Sequence, residues 1–98
     1  MLFALVALDK PGHLQVRLDT RPDHVAYLND LTQKGILKFA GPFLDVDGKP
    51  NGSLVSIEAD NLDAAKAILA EDPYAKAGLF ASTDVRPWNW VFCKPDNA

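Results

Sequence analysis

Leu2-Phe3-Ala4-Leu5-Val6-Ala7-Leu8 is an unbroken apolar run, closed by the turn-forming Asp9-Lys10-Pro11-Gly12. Extended, it points Phe3, Leu5 and Ala7 to one face and Leu2, Ala4, Val6 and Leu8 to the other. A strand that is apolar on both faces belongs in the middle of a sheet covered on both sides. The run is too short to span a bilayer and has no basic stretch ahead of it. A buried strand is therefore expected in place of a membrane span or signal peptide.

Reading onward, Thr20-Arg21-Pro22-Asp23 has the form of a capping box and predicts a helix starting there, with Thr20 as N-cap. Pro22 would sit harmlessly in the first turn, and Gly35 would stop the helix. Val25, Leu28 and Leu31, with Tyr27 at the margin, form its apolar stripe. A second strand is expected over Leu37–Phe43, ended or distorted at Gly41-Pro42. Turn-forming residues from Asp45 to Gly52 lead to a third strand over Ser53–Ala59, where the alternation has period two. Asp60-Asn61 can cap a second helix from Leu62 to Glu71, with Leu62, Ala65, Ile68 and Leu69 inward. Asp72-Pro73 ends it, because the residue before proline avoids helical geometry. A last strand falls within Phe80–Phe92, with a break at Pro87.

This order predicts an α+β, ferredoxin-like βαββαβ domain: an antiparallel four-stranded sheet with both helices on one face. The double-sided first strand then calls for a second subunit on the other face, hence a homodimer. The chain has 98 residues, enough for one domain over 1–98, with 93–98 expected as a C-terminal tail. With 10 Lys and Arg against 13 Asp and Glu, the net charge of −3 and scattered basic residues argue against nucleic-acid binding. A single cysteine excludes an intrachain disulfide framework and suits a reducing compartment. Cys93 follows apolar residues and is expected to be buried or half-buried. A cytoplasmic location, with no membrane association, completes the expectation.

Few residues can carry chemistry. His24, close to the start of the expected helix, can exchange a proton near neutrality, although the positive helix end should disfavour its charge. A histidine so placed is more often a structural hydrogen-bonding group. Asp72, expected inward on a last helical turn, can orient His24 or simply form a turn before Pro73. Antiparallel helices bring the start of one near the end of the other, so the two can meet. Ser53 can bind a substrate oxygen, and Arg17 or Arg21 can hold an anionic substrate; His13 shares their loop. Trp88 and Trp90 share one strand face and line a pocket or an interface, with packing the commoner role. No paired cysteines, HExxH, dinucleotide fingerprint or P-loop is present, so neither a metal nor a cofactor is expected.

Arg21-Pro22-Asp23-His24, Ala40-Gly41-Pro42, Gly52-Ser53, Asp72-Pro73-Tyr74, Ala77-Gly78-Leu79 and Val85-Arg86-Pro87-Trp88 follow one another at spacings that resemble the YciI-like (YCII-related) family. The resemblance implies a dimeric ferredoxin-like α+β barrel, formed by two sheets packing across a subunit interface. It also implies an active-site pair at His24 and Asp72, with Ser53 in the pocket. The expected function is a cofactor-independent acid–base enzyme, an isomerase or lyase acting on a small polar or carboxylate-bearing metabolite. The alternative is a non-catalytic module that binds a small ligand or a partner. Haem chemistry, with His24 as axial ligand, is a third class that nothing else in the chain selects.

Overall fold

The computed structural model describes residues 1–96. Strand β1 (Leu2–Asp9) is followed by helix α1 (Leu14–Gln33), strands β2 (Leu37–Leu44) and β3 (Pro50–Glu58), helix α2 (Leu62–Ala70), a single turn α3 (Pro73–Lys76) and strand β4 (Phe80–Trp88). The sheet order is β2-β3-β1-β4, and every neighbouring pair is antiparallel. The ferredoxin-like arrangement expected from the sequence is the one formed.

The barrel is not. The sheet is open, with β2 and β4 as free edges on opposite sides of the β3–β1 pair. Closure would require every strand to be hydrogen-bonded along both edges. Both outer strands instead carry a proline, Pro42 in β2 and Pro87 in β4, which removes a ladder donor and suits an edge. Of the two outcomes the sequence left open at Gly41-Pro42, β2 does not end there, since Gly41 pairs with Leu54 and Pro42 with Ser53, but its register shifts just beyond, between Phe43 and Leu44.

Phe3, Leu5 and Ala7 of β1 join Val55 and Ile57 of β3 beneath Ala65 and Leu69 of α2, all buried. Leu62, expected inward, is exposed at the start of α2. Asn61 caps that helix, its Oδ1 accepting the Ala64 N–H at 2.8 Å. The other face of β1 is less covered: Val6 is 40% and Leu8 50% exposed. At one end of that face Phe39, Trp88 and Trp90 cluster, with ring centroids 5.4–5.8 Å apart. Trp88 Nε1 donates to the buried Ser56 Oγ at 3.0 Å.

Helix α1 departs most from expectation. It begins at Leu14, not beyond Thr20, and runs unbroken through Pro22. The capping box is unused, because the first turns of α1 are tied down by a tertiary contact, the ion pair of Arg17 with Asp9 at the end of β1. Pro22 in the interior cannot donate to the Leu18 carbonyl. Both residues are exposed, so water can satisfy that oxygen.

Gly52 is fixed by close approach. A Cβ there would lie 2.6 Å from the Ala7 carbonyl oxygen and 3.0 Å from the Phe43 ring. The backbone cannot yield, since Gly52 pairs with Leu8 across the central β3–β1 ladder. Gly52→Ala is expected to destabilise the fold by about 1–3 kcal/mol. The measurement is a lower urea midpoint at unchanged m-value, and an unaltered midpoint would contradict the packing described.

Candidate active site

Arg17, Arg21, His24 and Leu28 recur on α1 at steps of four, three and four, and so share one side of the helix. Together with Ala40, Gly41 and Pro42 of β2, Ser53 and Val55 of β3, and Tyr74 of α3, they enclose a cavity of about 300 Å³. A larger cavity, about 480 Å³, lies against α2 and β4, lined by Leu5, Leu69, Phe80 and Val85 with Lys66, Thr83 and Asp84; none of the expected site residues reaches it.

His24 lies in the middle of α1, not near its start, so the helix-end field expected to act on it is absent. Its Nδ1 is 2.8 and 3.0 Å from the two carboxylate oxygens of Asp72. An ionised carboxylate only accepts, so in the neutral imidazole Nδ1 carries the ring proton and Nε2 the lone pair. The imidazole is 13% exposed and the Asp72 side chain 5%, so the pair is nearly dry. Asp72 is not on a last turn of α2. It is the N-cap of α3, its extended backbone imposed by Pro73 and its Oδ1 accepting the Tyr74 N–H at 2.9 Å. Fixing that cap fixes the carboxylate, and the carboxylate fixes the imidazole.

Arg17 is buried and paired with Asp9. Its Nε and Nη2 hold Asp9 Oδ2 and Oδ1 at 2.6 and 2.9 Å, and Nη2 also donates to Ser53 Oγ at 2.9 Å. Burial works to lower the Arg17 pKa, but the hydrogen bond and charge of Asp9 outweigh it and the net direction is upward. Because Ser53 accepts from a permanent cation, its own proton is left to donate elsewhere.

Tyr74 joins the two halves. Its ring stacks on His24 at 3.8 Å with a 16° tilt, and the Arg17 guanidinium lies 4.6 Å from the ring centroid. Burial pushes the Tyr74 pKa up, partly offset by Arg17 and Arg21. Tyr27, whose hydroxyl donates to the Ile68 carbonyl at 2.5 Å, is also pushed up, by burial and then by Asp72, Glu71 and Asp30. These are the chain's two tyrosines. Their raised folded-state values stabilise the fold fully below about pH 10, and that contribution is lost as the pH rises through the folded values. In an alkaline absorbance titration, tyrosinate is expected to appear above about pH 10 and together with loss of the fold. Free-tyrosine behaviour with the fold intact would contradict this.

The site thus brings His24, Asp72, Ser53, Arg17 and Arg21 together around one cavity and its wall. Trp88 and Trp90 are elsewhere, on the sheet face away from α1 and α2. His13 stays in its loop, Nδ1 3.0 Å from the Pro11 carbonyl oxygen. Cys93, expected buried or half-buried, is exposed, because the chain has left the sheet after β4. The sequence reading missed Asp9 and Tyr74. Tyr74 had a signal, following Asp72-Pro73 directly; Asp9 had only its place at the end of an apolar strand. Among the described residues no group of three or more His, Cys, Asp or Glu side chains is placed to hold a metal ion.

An open antiparallel βαββαβ sheet with a buried His–Asp pair under its first helix defines a recognisable class of small α+β protein. The sequence profile of the YCII-related domain matches residues 1–89, and the chain belongs to that family. Protein YciI of Escherichia coli is 39% identical over 98 residues, covering 94% of this chain and 100% of its own. The 5-chloro-2-hydroxyhydroquinone dehydrochlorinase TftG of Burkholderia phenoliruptrix, solved in complex with 2,5-dihydroxybenzoquinone, is also 39% identical. It superposes with a TM-score of 0.83 over 91% of this chain and 94% of that one. A NIPSNAP family protein from Agrobacterium tumefaciens shares the fold at 20% identity, with a TM-score of 0.57 over 97% of this chain and 96% of that one. The buried pair and the likeness to an enzyme are consistent with an acid–base site that uses side chains alone. No helix among the described residues is long and apolar enough to cross a membrane.

Proposed function

We propose that the chain is a cofactor-independent acid–base enzyme, of lyase or isomerase type, acting on a small, polar, oxygen-bearing metabolite. The observation that carries this is the Nδ1 contact of His24 with Asp72 at 2.8 Å, which leaves Nε2 as a free base beside the cavity. In the proposed reaction Nε2 takes a proton from the substrate, and Asp72 stabilises the imidazolium so formed. Ser53 donates its proton to a substrate oxygen. In an isomerisation, His24 returns the proton at another atom. In an elimination, a leaving group departs with its bonding electrons, and neither route needs an outside oxidant or reductant.

The cavity, about 300 Å³, suits a single-ring molecule. Likeness to the dehydrochlorinase makes hydroxylated rings the first class to test, chlorinated hydroxyhydroquinones among them. Loss of hydrogen chloride from such a ring is a proton removed and a chloride released. The test is incubation of the protein with a panel of hydroxylated single-ring compounds in deuterated water. Enzyme-dependent deuterium incorporation or chloride release is the expected result. Saturable binding with neither would favour a ligand-binding module instead.

The active species is further proposed to be a homodimer in the cytoplasm, with the open sheet face as the interface. The exposed Val6 and Leu8 on that face support this, since covering them recovers roughly 25 cal/mol for each Å² of apolar surface. Sedimentation equilibrium is expected to report twice the 10.7 kDa chain mass. A species of one chain mass at every micromolar concentration would refute the dimer.

A further inference from the structure

Two arginines line the cavity, and they are not equivalent. Arg17 is 4% exposed, its charge matched by Asp9 and its remaining contacts given to Ser53 and Tyr74. Arg21 is exposed, and among the described residues it has no carboxylate at ion-pair distance. Its helical neighbours one turn away are Arg17, Leu18, His24 and Val25, none of them acidic. Across the cavity stand Ala40, Gly41, Pro42 and Pro50, which are uncharged. With Asp9 bound to Arg17 and Asp72 bound to His24, Arg21 is the cation at this cavity left without a counter-charge.

We infer that Arg21 selects the substrate, and that the site takes small organic anions. An anionic oxygen (carboxylate, enolate or phenolate) pairs with the Arg21 guanidinium, while the substrate proton to be moved faces His24 Nε2 at the same cavity. Arg21 and His24 stand three residues apart on α1, a rise of about 4.5 Å, and both line the same cavity. A planar guanidinium that can meet such an oxygen through two parallel hydrogen bonds would also fix the orientation of the ring. This deepens the acid–base reading and rests on it, but the preference for an anion can be measured without turnover.

The experiment compares benzoate with benzamide, which have nearly the same shape and differ in charge. Binding is followed by amide chemical shifts of Ser53 and Tyr74 in the full chain. Wild-type protein is expected to bind benzoate about tenfold or more tightly than benzamide. Arg21→Gln is expected to reduce benzoate to the benzamide value, leave benzamide unchanged and keep the remaining spectrum intact. Arg21→Lys, which keeps the charge, is expected to retain part of the preference. Equal affinities in wild type, a preference that survives Arg21→Gln, or no benzoate response at tens of millimolar would each overturn the inference. His24→Asn separates the two ideas: it is expected to keep the benzoate preference while losing turnover. Turnover that survives His24→Asn would defeat the acid–base reading, with the anion preference still judged by its own titration.

Discussion

Arg17→Leu is expected to cost about 3–5 kcal/mol of folding stability, because it leaves the Asp9 carboxylate buried without its partner. Asp9 has both oxygens on the guanidinium, and its side chain is 6% exposed, so water cannot take over the contact. The same cation supports Ser53 and lies against Tyr74, so the loss spreads into the cavity wall. For a domain of this size that is a large share of a total of about 5–15 kcal/mol. Asp9→Leu with Arg17→Met, which removes both charges, is expected to recover most of the loss. The double-mutant cycle in urea is the measurement. A single-variant loss below about 1 kcal/mol, the size of a surface pair, would show that the buried pair does not hold α1 to β1.

His24→Asn is expected to lower kcat by about 10²–10⁴-fold on any substrate the wild type turns over. Asparagine can keep a hydrogen bond to Asp72 but cannot carry a proton near neutrality. The thermal midpoint should move little, because asparagine keeps the hydrogen bond to Asp72 and the stacking partner Tyr74 is held by its own packing. Asp72→Asn is expected to fall between the two, since it removes the charge that stabilises the imidazolium and leaves one oxygen for two donors, His24 and the Tyr74 N–H. A His24→Asn kcat within a few-fold of wild type would sink the base assignment.

The order of elements was legible because punctuation and periodicity agreed along most of the chain. The alternation in β3 marked a strand, Asp60-Asn61 marked the start of α2, and Asp72-Pro73 marked its end. The start of α1 was not legible. Thr20-Arg21-Pro22-Asp23 satisfies a local rule, but the ion pair of Arg17 with Asp9 is a contact between a strand and a helix that no capping pattern encodes, and it carries the helix back to Leu14. The same contact hid the division of labour between the arginines. Arg17 and Arg21 look alike in the sequence, yet one is held by Asp9 and the other has no acidic partner among the described residues. Tyr74 stands directly after Asp72-Pro73, but its role is geometric, the surface on which His24 stacks, and no residue-type rule picks that out. The open sheet shows a different limit. Apolar residues on both faces of β1 ask for cover on both sides, but they do not say that the sheet edges close.

Direct observation of the His24 ring nitrogens tests the central claim without any substrate. In a two-bond ¹H–¹⁵N spectrum recorded with the imidazole neutral, the account expects Nδ1 protonated against Asp72 and Nε2 with the shift of an unprotonated nitrogen. Asp72→Ala should abolish that preference. A proton found on Nε2 in the wild type would occupy the lone pair the proposed base requires, and would contradict the account.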